Sequence, residues 1–145
     1  MVEYLKDFLV LKEGGKVIYS TNSEIIKDQL LFGGFIEALN SFYSISLKDD
    51  LFQIEGSRYR ITFLSKLACQ FVGISSMNVN KNKAWEELEH FSNRFIEMFP
   101  EIIDQENDND VRVFHRFNSE IVKTKKDYLV KQYESNYISY LLEDW

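Results

Sequence analysis

The chain has 145 residues, which is enough for one domain with a sizeable core and too few for two domains of ordinary size. Hydrophobic residues make up 45% of the sequence and aromatic residues 15%, a composition that argues against disorder. The formal net charge of −6 at pH 7 argues against a general nucleic-acid binder and against simple adhesion to anionic membranes.

Cysteine usage and the apolar runs indicate the compartment. The single cysteine, Cys69, cannot form a disulfide within the chain, which suits a reducing environment. No apolar run approaches the roughly 18 residues of a membrane span, and the N-terminal MVEYLKDF has early acidic residues and no signal-peptide core. We therefore expect a soluble, cytoplasmic, globular protein, for which any attachment to a membrane would be through a partner.

The chain begins with a predicted β-hairpin. Two apolar runs, FLVL and VIY, flank Gly14 and Gly15, and adjacent glycines suit a tight turn because both can take positive φ angles. A helix is predicted next, capped by Asn22 or Ser23 and extending to about residue 45.

This helix contains LFGGFIEALNSF, in which each glycine costs about 1 kcal/mol relative to alanine. At about 100° per residue, most large apolar side chains fall on one side, which we expect to face the core. That side holds Ile25, Leu31, Phe32, Phe35, Ile36, Ala38, Leu39, Phe42 and Tyr43. The other side holds Asn40 and the residues that we predict to bind a partner: Ile26, Leu30, Gly33, Gly34, Glu37 and Ser41.

Small residues let another backbone come close, so outward glycines predict a packed outer face. Another part of this chain or another molecule would cover that face. An arginine at Gly33 or Gly34 is then expected to block the partner and to leave the fold intact. Two structural explanations stay open, namely a kink that fits the helix to the sheet and a helix that starts only after Gly34.

Three strands and two helices are predicted in the remainder. Residues 51–55, 58–63 and 69–76 form a meander, with a turn at Gly56 and Ser57. One amphipathic helix ends at Pro100, and a last helix begins at Asn118 or Ser119 and has an apolar stripe that extends to Leu141. The order β-β-α-β-β-β-α-α predicts an α/β (α+β) sandwich with a five-stranded antiparallel sheet, in a single domain over 1–145.

Candidate catalytic and metal sites are few. Glu87 and His90 form one Glu-x-x-His pair, but a di-iron site needs a second copy. Cys69 opens an apolar strand, where an unreactive buried thiol is the more common outcome. The acidic loop from Asp104 to Asp110 resembles the start of a calcium loop but lacks its glycine and its final glutamate. We therefore predict no catalytic residue, no cofactor, no metal and no enzymatic activity.

The hairpin FLVLKEGGKVIYS, the helix LLFGGFIEALNSF and the segments IEGSRYRITF and CQFVGISS together resemble the longin and roadblock class of SNARE-like domains. In the helix the matching residues are Gly34, Phe35, Ala38 and Phe42. The longin arrangement fits better, because two helices follow the last strand and none precedes the first.

The resemblance implies one helix on one sheet face and two on the other, with 16–21 and 51–55 as edge strands. It also implies homodimers or heterodimers with another longin- or roadblock-type subunit, and platforms for small GTPases, vesicle-trafficking adaptors or SNARE segments. The chain shows no coiled-coil SNARE segment and no anchor, so we expect an adaptor-type module. The sheet edges offer a partner a second route, by strand addition.

A small-molecule sensor of the PAS or profilin-like type is the alternative, since these domains also have a five-stranded antiparallel sheet. Its ligand would lie among Phe63, Phe71 and Trp85, although core packing is the more common use of such aromatic residues.

Overall fold

The computed structural model describes residues 4–21, 24–100 and 111–123, and within them five strands form one antiparallel sheet. The strands are β1 (Leu5–Lys12), β2 (Lys16–Ser20), β3 (Gln53–Glu55), β4 (Tyr59–Lys66) and β5 (Cys69–Ser76). The helices are α1 (Gln29–Ser46), α2 (Lys81–Met98), a 3-10 helix (Val111–Arg116) and the helical residues 117–123 that follow it. The predicted α+β order is confirmed.

The first hairpin turns at the two glycines, as predicted. Gly14 and Gly15 have φ angles of 85° and 81°, a left-handed conformation that glycine adopts without steric cost. The register of β1 against β2 shifts between Val10 and Leu11, which marks a β-bulge. The bulge and the glycines bring the turn under the first helix.

The strand order in the sheet is β2-β1-β5-β4-β3, so β2 and β3 are the edges, as the family resemblance implies. Among the strands that the structure describes, the short β3 pairs with β4 alone, with Ile54 opposite Ile61. The long central strands β1, β5 and β4 pair along most of their length. Because sequential side chains alternate between faces, the sheet has two apolar faces to cover.

Each face of the sheet packs against helices. On one face, α2 and the last helical segment cover a cluster rich in phenylalanine, in which the Phe95 ring lies 5.2 Å from that of Phe117 and 4.9 Å from that of Phe99. On the other face, α1 covers a smaller aliphatic cluster through the fully buried Ile36. This one-against-two arrangement agrees with the longin expectation.

The start of α1 differs from the prediction. The helix begins at Gln29, and the Asp28 side chain accepts a hydrogen bond of 2.9 Å from the Leu31 N–H. Asp28 is as good an N-cap as asparagine or serine, so the sequence contains several competing caps in this region. Asn22 and Ser23 themselves lie outside the described residues, as do the acidic loop and the stripe beyond residue 123.

Candidate interaction surface on the first helix

The two helix glycines have different surroundings. A Cβ atom built on Gly33 would lie 1.8 Å from the carbonyl oxygen of Gly15, whereas one built on Gly34 would have nothing within 4 Å. The backbone of α1 therefore rests directly on the hairpin turn at Gly33. The cost of a glycine there is offset by a close approach of two backbones that no other residue allows.

The prediction that Gly33 faces outward is therefore wrong. Gly33, Ile36 and Asn40 lie on the inner side of α1, and the Asn40 amide donates a hydrogen bond of 2.6 Å to the Gln70 side chain on β5. The alternative of a helix that starts only after Gly34 is wrong as well, since α1 starts four residues before Gly33. The expectation that Gly33→Arg leaves the fold intact is also wrong, because the hairpin leaves no space for the side chain of an arginine at this position.

The outer side of α1 carries large apolar residues. The side chains of Leu31, Phe35, Phe42 and Ile45 are 71%, 56%, 53% and 76% exposed, and Ala38 lies among them. Leu31, Phe35, Ala38 and Phe42 were predicted to face the core, which is wrong. These five residues, which we call the α1 stripe, recur at intervals of 4, 3, 4 and 3, the spacing of a seam between packed helices.

The predicted partner-binding residues lie in three settings. Leu30, Gly34 and Ser41 are exposed and border the α1 stripe on one side. Ile26 is half-buried against the aliphatic cluster, and Glu37 is half-buried above a groove. Gly33 is covered by the hairpin and cannot contact a partner in this fold.

Within residues 4–21, 24–100 and 111–123, the edge strand β3 has backbone groups that no other strand pairs with. The Phe63 N–H donates to the Phe52 carbonyl at 2.8 Å, so alternate residues of this strand, including Ile54, point their backbone groups toward β4. The N–H and C=O groups of Gln53 and Glu55 then point outward from the sheet. The exposed Phe52 lies just before them. The edge therefore offers a short site for strand addition.

The other edge strand, β2, has α1 on one side and the last helical segment on the other. Beside β2 lies a cavity of 360 Å³ lined by Gln29 at the start of α1, by His115 on the 3-10 helix and by Asn118 on the last helical segment. The Tyr19 hydroxyl donates a hydrogen bond of 2.6 Å to Asn118. Burial, and then the charge of Asp7, raise the pKa of Tyr19 well above its usual range. Tyr19 therefore stays a neutral hydrogen-bond donor that fastens the last segment to the sheet.

Comparisons with known proteins support the fold. No family model matches the chain, and no curated protein matches it. Among solved structures, Myxococcus xanthus MglB, a protein of the roadblock/longin-like kind, is similar, with a TM-score of 0.56 and 13% identity over 71% of this chain and 83% of MglB. The chain has a longin/roadblock-like fold.

The aromatic residues predicted for a sensor site do not form one cavity in this longin/roadblock-like fold. Phe63 belongs to the aliphatic cluster under α1, whereas Phe71 belongs to the cluster under α2. Trp85 packs against the second of these from the helix. The sheet separates Phe63 from the other two, so the proposed ligand pocket is wrong.

The residues considered for chemistry have different surroundings. The Glu87 carboxylate is buried and accepts the Leu5 N–H at 2.9 Å, so it holds the start of β1 against α2. His90, on the same helix, is exposed, and Cys69 is buried at the start of β5. In the described part of the chain, no three histidine, cysteine or acidic side chains lie together where they could hold a metal ion. The helices described there include none that is long and apolar enough to cross a membrane.

Proposed function

We propose that this protein is a non-enzymatic interaction module that pairs, through the α1 stripe, with a second copy of itself or with a related longin- or roadblock-type subunit. The observation that carries this proposal is the exposure of the four large apolar side chains of the α1 stripe. A pair formed in this way then serves as an adaptor platform for a small GTPase, the partner that the family resemblance suggests.

The exposed area of the α1 stripe supports pairing. Burying a large apolar side chain completely contributes about 1.5–3 kcal/mol, and these side chains are between 53% and 76% exposed. Each would therefore contribute about 1–2 kcal/mol at an interface, and two copies together about 8–16 kcal/mol. Association costs about 4–15 kcal/mol, so the stripe alone reaches the range in which a dimer forms.

The form of the α1 stripe supports a helix as the covering element. Its 4-3-4-3 spacing suits knobs-into-holes packing against a second helix. Gly34, Ala38 and Ser41 are small and lie along one side, so a partner backbone can approach closely. Leu47, directly after the last residue of α1, is also exposed and adds an apolar side chain at that end of the helix.

Light scattering after size-exclusion chromatography tests the pairing. The wild-type chain, of 17.2 kDa, is expected to elute at about twice that mass, and Phe42→Asp at the mass of one chain. Val122→Asp is the matched control, because Val122 is 54% exposed on another helix and Phe42 is 53% exposed. A wild-type protein that is monomeric at a concentration of about 100 µM would refute self-pairing.

Binding to small GTPases tests the platform. Purified small GTPases of the source organism, loaded with GDP or with a non-hydrolysable GTP analogue, are passed over the immobilised wild-type protein. We expect at least one to bind in one nucleotide state with a Kd below about 10 µM, which corresponds to roughly 7 kcal/mol. Absence of binding for every GTPase in both states would refute this part of the proposal and leave the pairing standing.

A further inference from the structure

A groove separate from the α1 stripe lies between α1 and the end of the sheet where the β1–β2 and β4–β5 turns are. Its volume is 590 Å³, within the usual range of ligand sites. Leu11 and Phe63 form its floor, and both are almost completely buried. Phe52 and Leu67 stand at its rim and are mostly exposed. The groove thus combines an apolar floor with an apolar rim that nothing covers in the described structure.

The charges around this groove are mainly negative. Three carboxylates line it, from Glu13 on the hairpin turn, Glu37 on α1 and Asp50 on the segment after α1. Lys12 is the one cationic residue among the lining residues described. A groove with this balance favours a ligand that carries positive charge.

The walls of the groove are fixed before any ligand arrives. The hydrogen bond of 2.6 Å between Asn40 and Gln70 joins α1 to β5 at the base of the groove. The contact between Gly33 and Gly15 holds α1 against the hairpin turn that forms another wall. A preformed site loses little conformational freedom on binding, which favours affinity.

Leu67, at the β4–β5 turn, has a backbone conformation that is unusual for leucine. Leu67 has a φ angle of 56°. Leucine adopts this left-handed conformation at a steric cost, whereas glycine adopts it without one. The Leu67 side chain is 66% exposed. Stability alone would place glycine or asparagine at this turn. A leucine here keeps an apolar side chain at the mouth of the groove, where a ligand could contact it.

We infer that this groove binds a short linear segment of a partner protein in which a lysine or arginine stands next to a large apolar residue. The apolar side chain lies over Leu11 and Phe63 between Phe52 and Leu67. The basic side chain pairs with Glu37 and Asp50. The occupant is a protein segment because neighbouring side chains of one peptide can match both the apolar lining and the carboxylates of this groove. This site is independent of pairing through the α1 stripe, whose large residues do not line it.

The test uses a displayed library of random octapeptides, selected on the immobilised wild-type protein. The expected consensus places lysine or arginine beside leucine, isoleucine or phenylalanine. The best peptide, labelled with fluorescein, is then measured by anisotropy. The double variant Glu37→Lys, Asp50→Lys should bind it at least tenfold more weakly, whereas Glu89→Lys, an exposed acid on α2, should bind it as the wild type does.

A second variant separates binding from folding. Leu67→Gly relieves the backbone strain, so its melting temperature should equal or exceed that of the wild type, while its affinity for the peptide falls at least fivefold. Phe42→Asp should bind the peptide normally even where it no longer pairs. An acidic consensus, no enrichment, or equal binding by the double variant and by Leu67→Gly would each overturn the inference.

Discussion

The contact between Gly33 and Gly15 gives the sharpest test of how α1 is placed, because the neighbouring Gly34 is a matched control. The two positions share a helix and a sequence context, and they differ in what a methyl group would meet. At Gly33 the new Cβ atom would lie 1.8 Å from the Gly15 carbonyl oxygen, whereas at Gly34 it would enter open space. Alanine should therefore have opposite effects on stability at the two positions.

The size of the expected change in the free energy of unfolding follows from these distances. Ordinary van der Waals contact begins at 3.4 Å, so Gly33→Ala must push α1 and the hairpin apart by roughly 1.5 Å. Overpacking of this kind costs about 1–3 kcal/mol and also loosens the packing of Ile36. Gly34→Ala should instead gain about 1 kcal/mol from helix propensity. The free energies of unfolding of the two variants should differ by about 2–4 kcal/mol.

Urea unfolding followed by circular dichroism at 222 nm measures both variants against the wild type. A difference of about 2–4 kcal/mol should also appear as a gap in melting temperature of roughly 6–12 °C for a domain of this size. Equal stability of the two alanine variants, within about 0.5 kcal/mol, would show that α1 does not rest on the hairpin. Such a result would remove the basis for the orientation of the α1 stripe.

Further predictions concern the partner-facing helix, the pH response, a cap and the core. Gly34→Arg should unfold cooperatively near wild-type stability yet weaken pairing in light scattering, whereas Gly33→Arg should lose cooperative urea unfolding. Burial raises the pKa of Tyr19 in the folded protein, so the unfolded chain loses the Tyr19 hydroxyl proton at a lower pH. The free energy of unfolding of the wild type should therefore fall by up to about 1.4 kcal/mol per pH unit above pH 10, and that of Tyr19→Phe should fall less steeply. Asn80→Ala removes the cap that accepts two N–H groups at the start of α2 and should cost about 1 kcal/mol in urea unfolding. Phe95→Ala opens the aromatic cluster and should cost about 3–5 kcal/mol in the same assay.

The sheet was predictable because its signals are local. Alternation and turn residues placed β5 at its observed bounds and the start of β4 within one residue, although β4 extends three residues beyond its predicted end. The glycine pair placed the first hairpin. The amphipathic pattern of α2 is equally local, since one side of that helix is apolar and the other charged. The edges β2 and β3 were not derivable from periodicity and came from the family resemblance.

The orientation of α1 was not predictable from its hydrophobic pattern, because this helix is apolar on both sides. Choosing the larger apolar face as the inner one placed Phe35 and Phe42 in the core beside Ile36, whereas the structure keeps Ile36 there with Gly33 and Asn40. What decides the orientation is a contact between backbones of Gly33 and Gly15, which a count of side-chain hydrophobicity does not register. The sequence signal for this contact was the presence of two glycine pairs, Gly14-Gly15 in the hairpin and Gly33-Gly34 in α1, because glycine lets two backbones approach closely.

A helix that carries large apolar side chains on two opposite sides must be covered on both sides, or it leaves an energetic cost at the exposed one. In this fold the sheet and the hairpin can cover only the side of α1 that holds Gly33 and Ile36. Deepening that contact is impossible, because backbone already meets backbone there. The remaining apolar side chains, including Phe35 and Phe42, therefore stay at the surface as a consequence of the same glycine contact that fixes the helix. The structural role of Gly33 and the proposed pairing role of the α1 stripe are thus two results of one packing constraint.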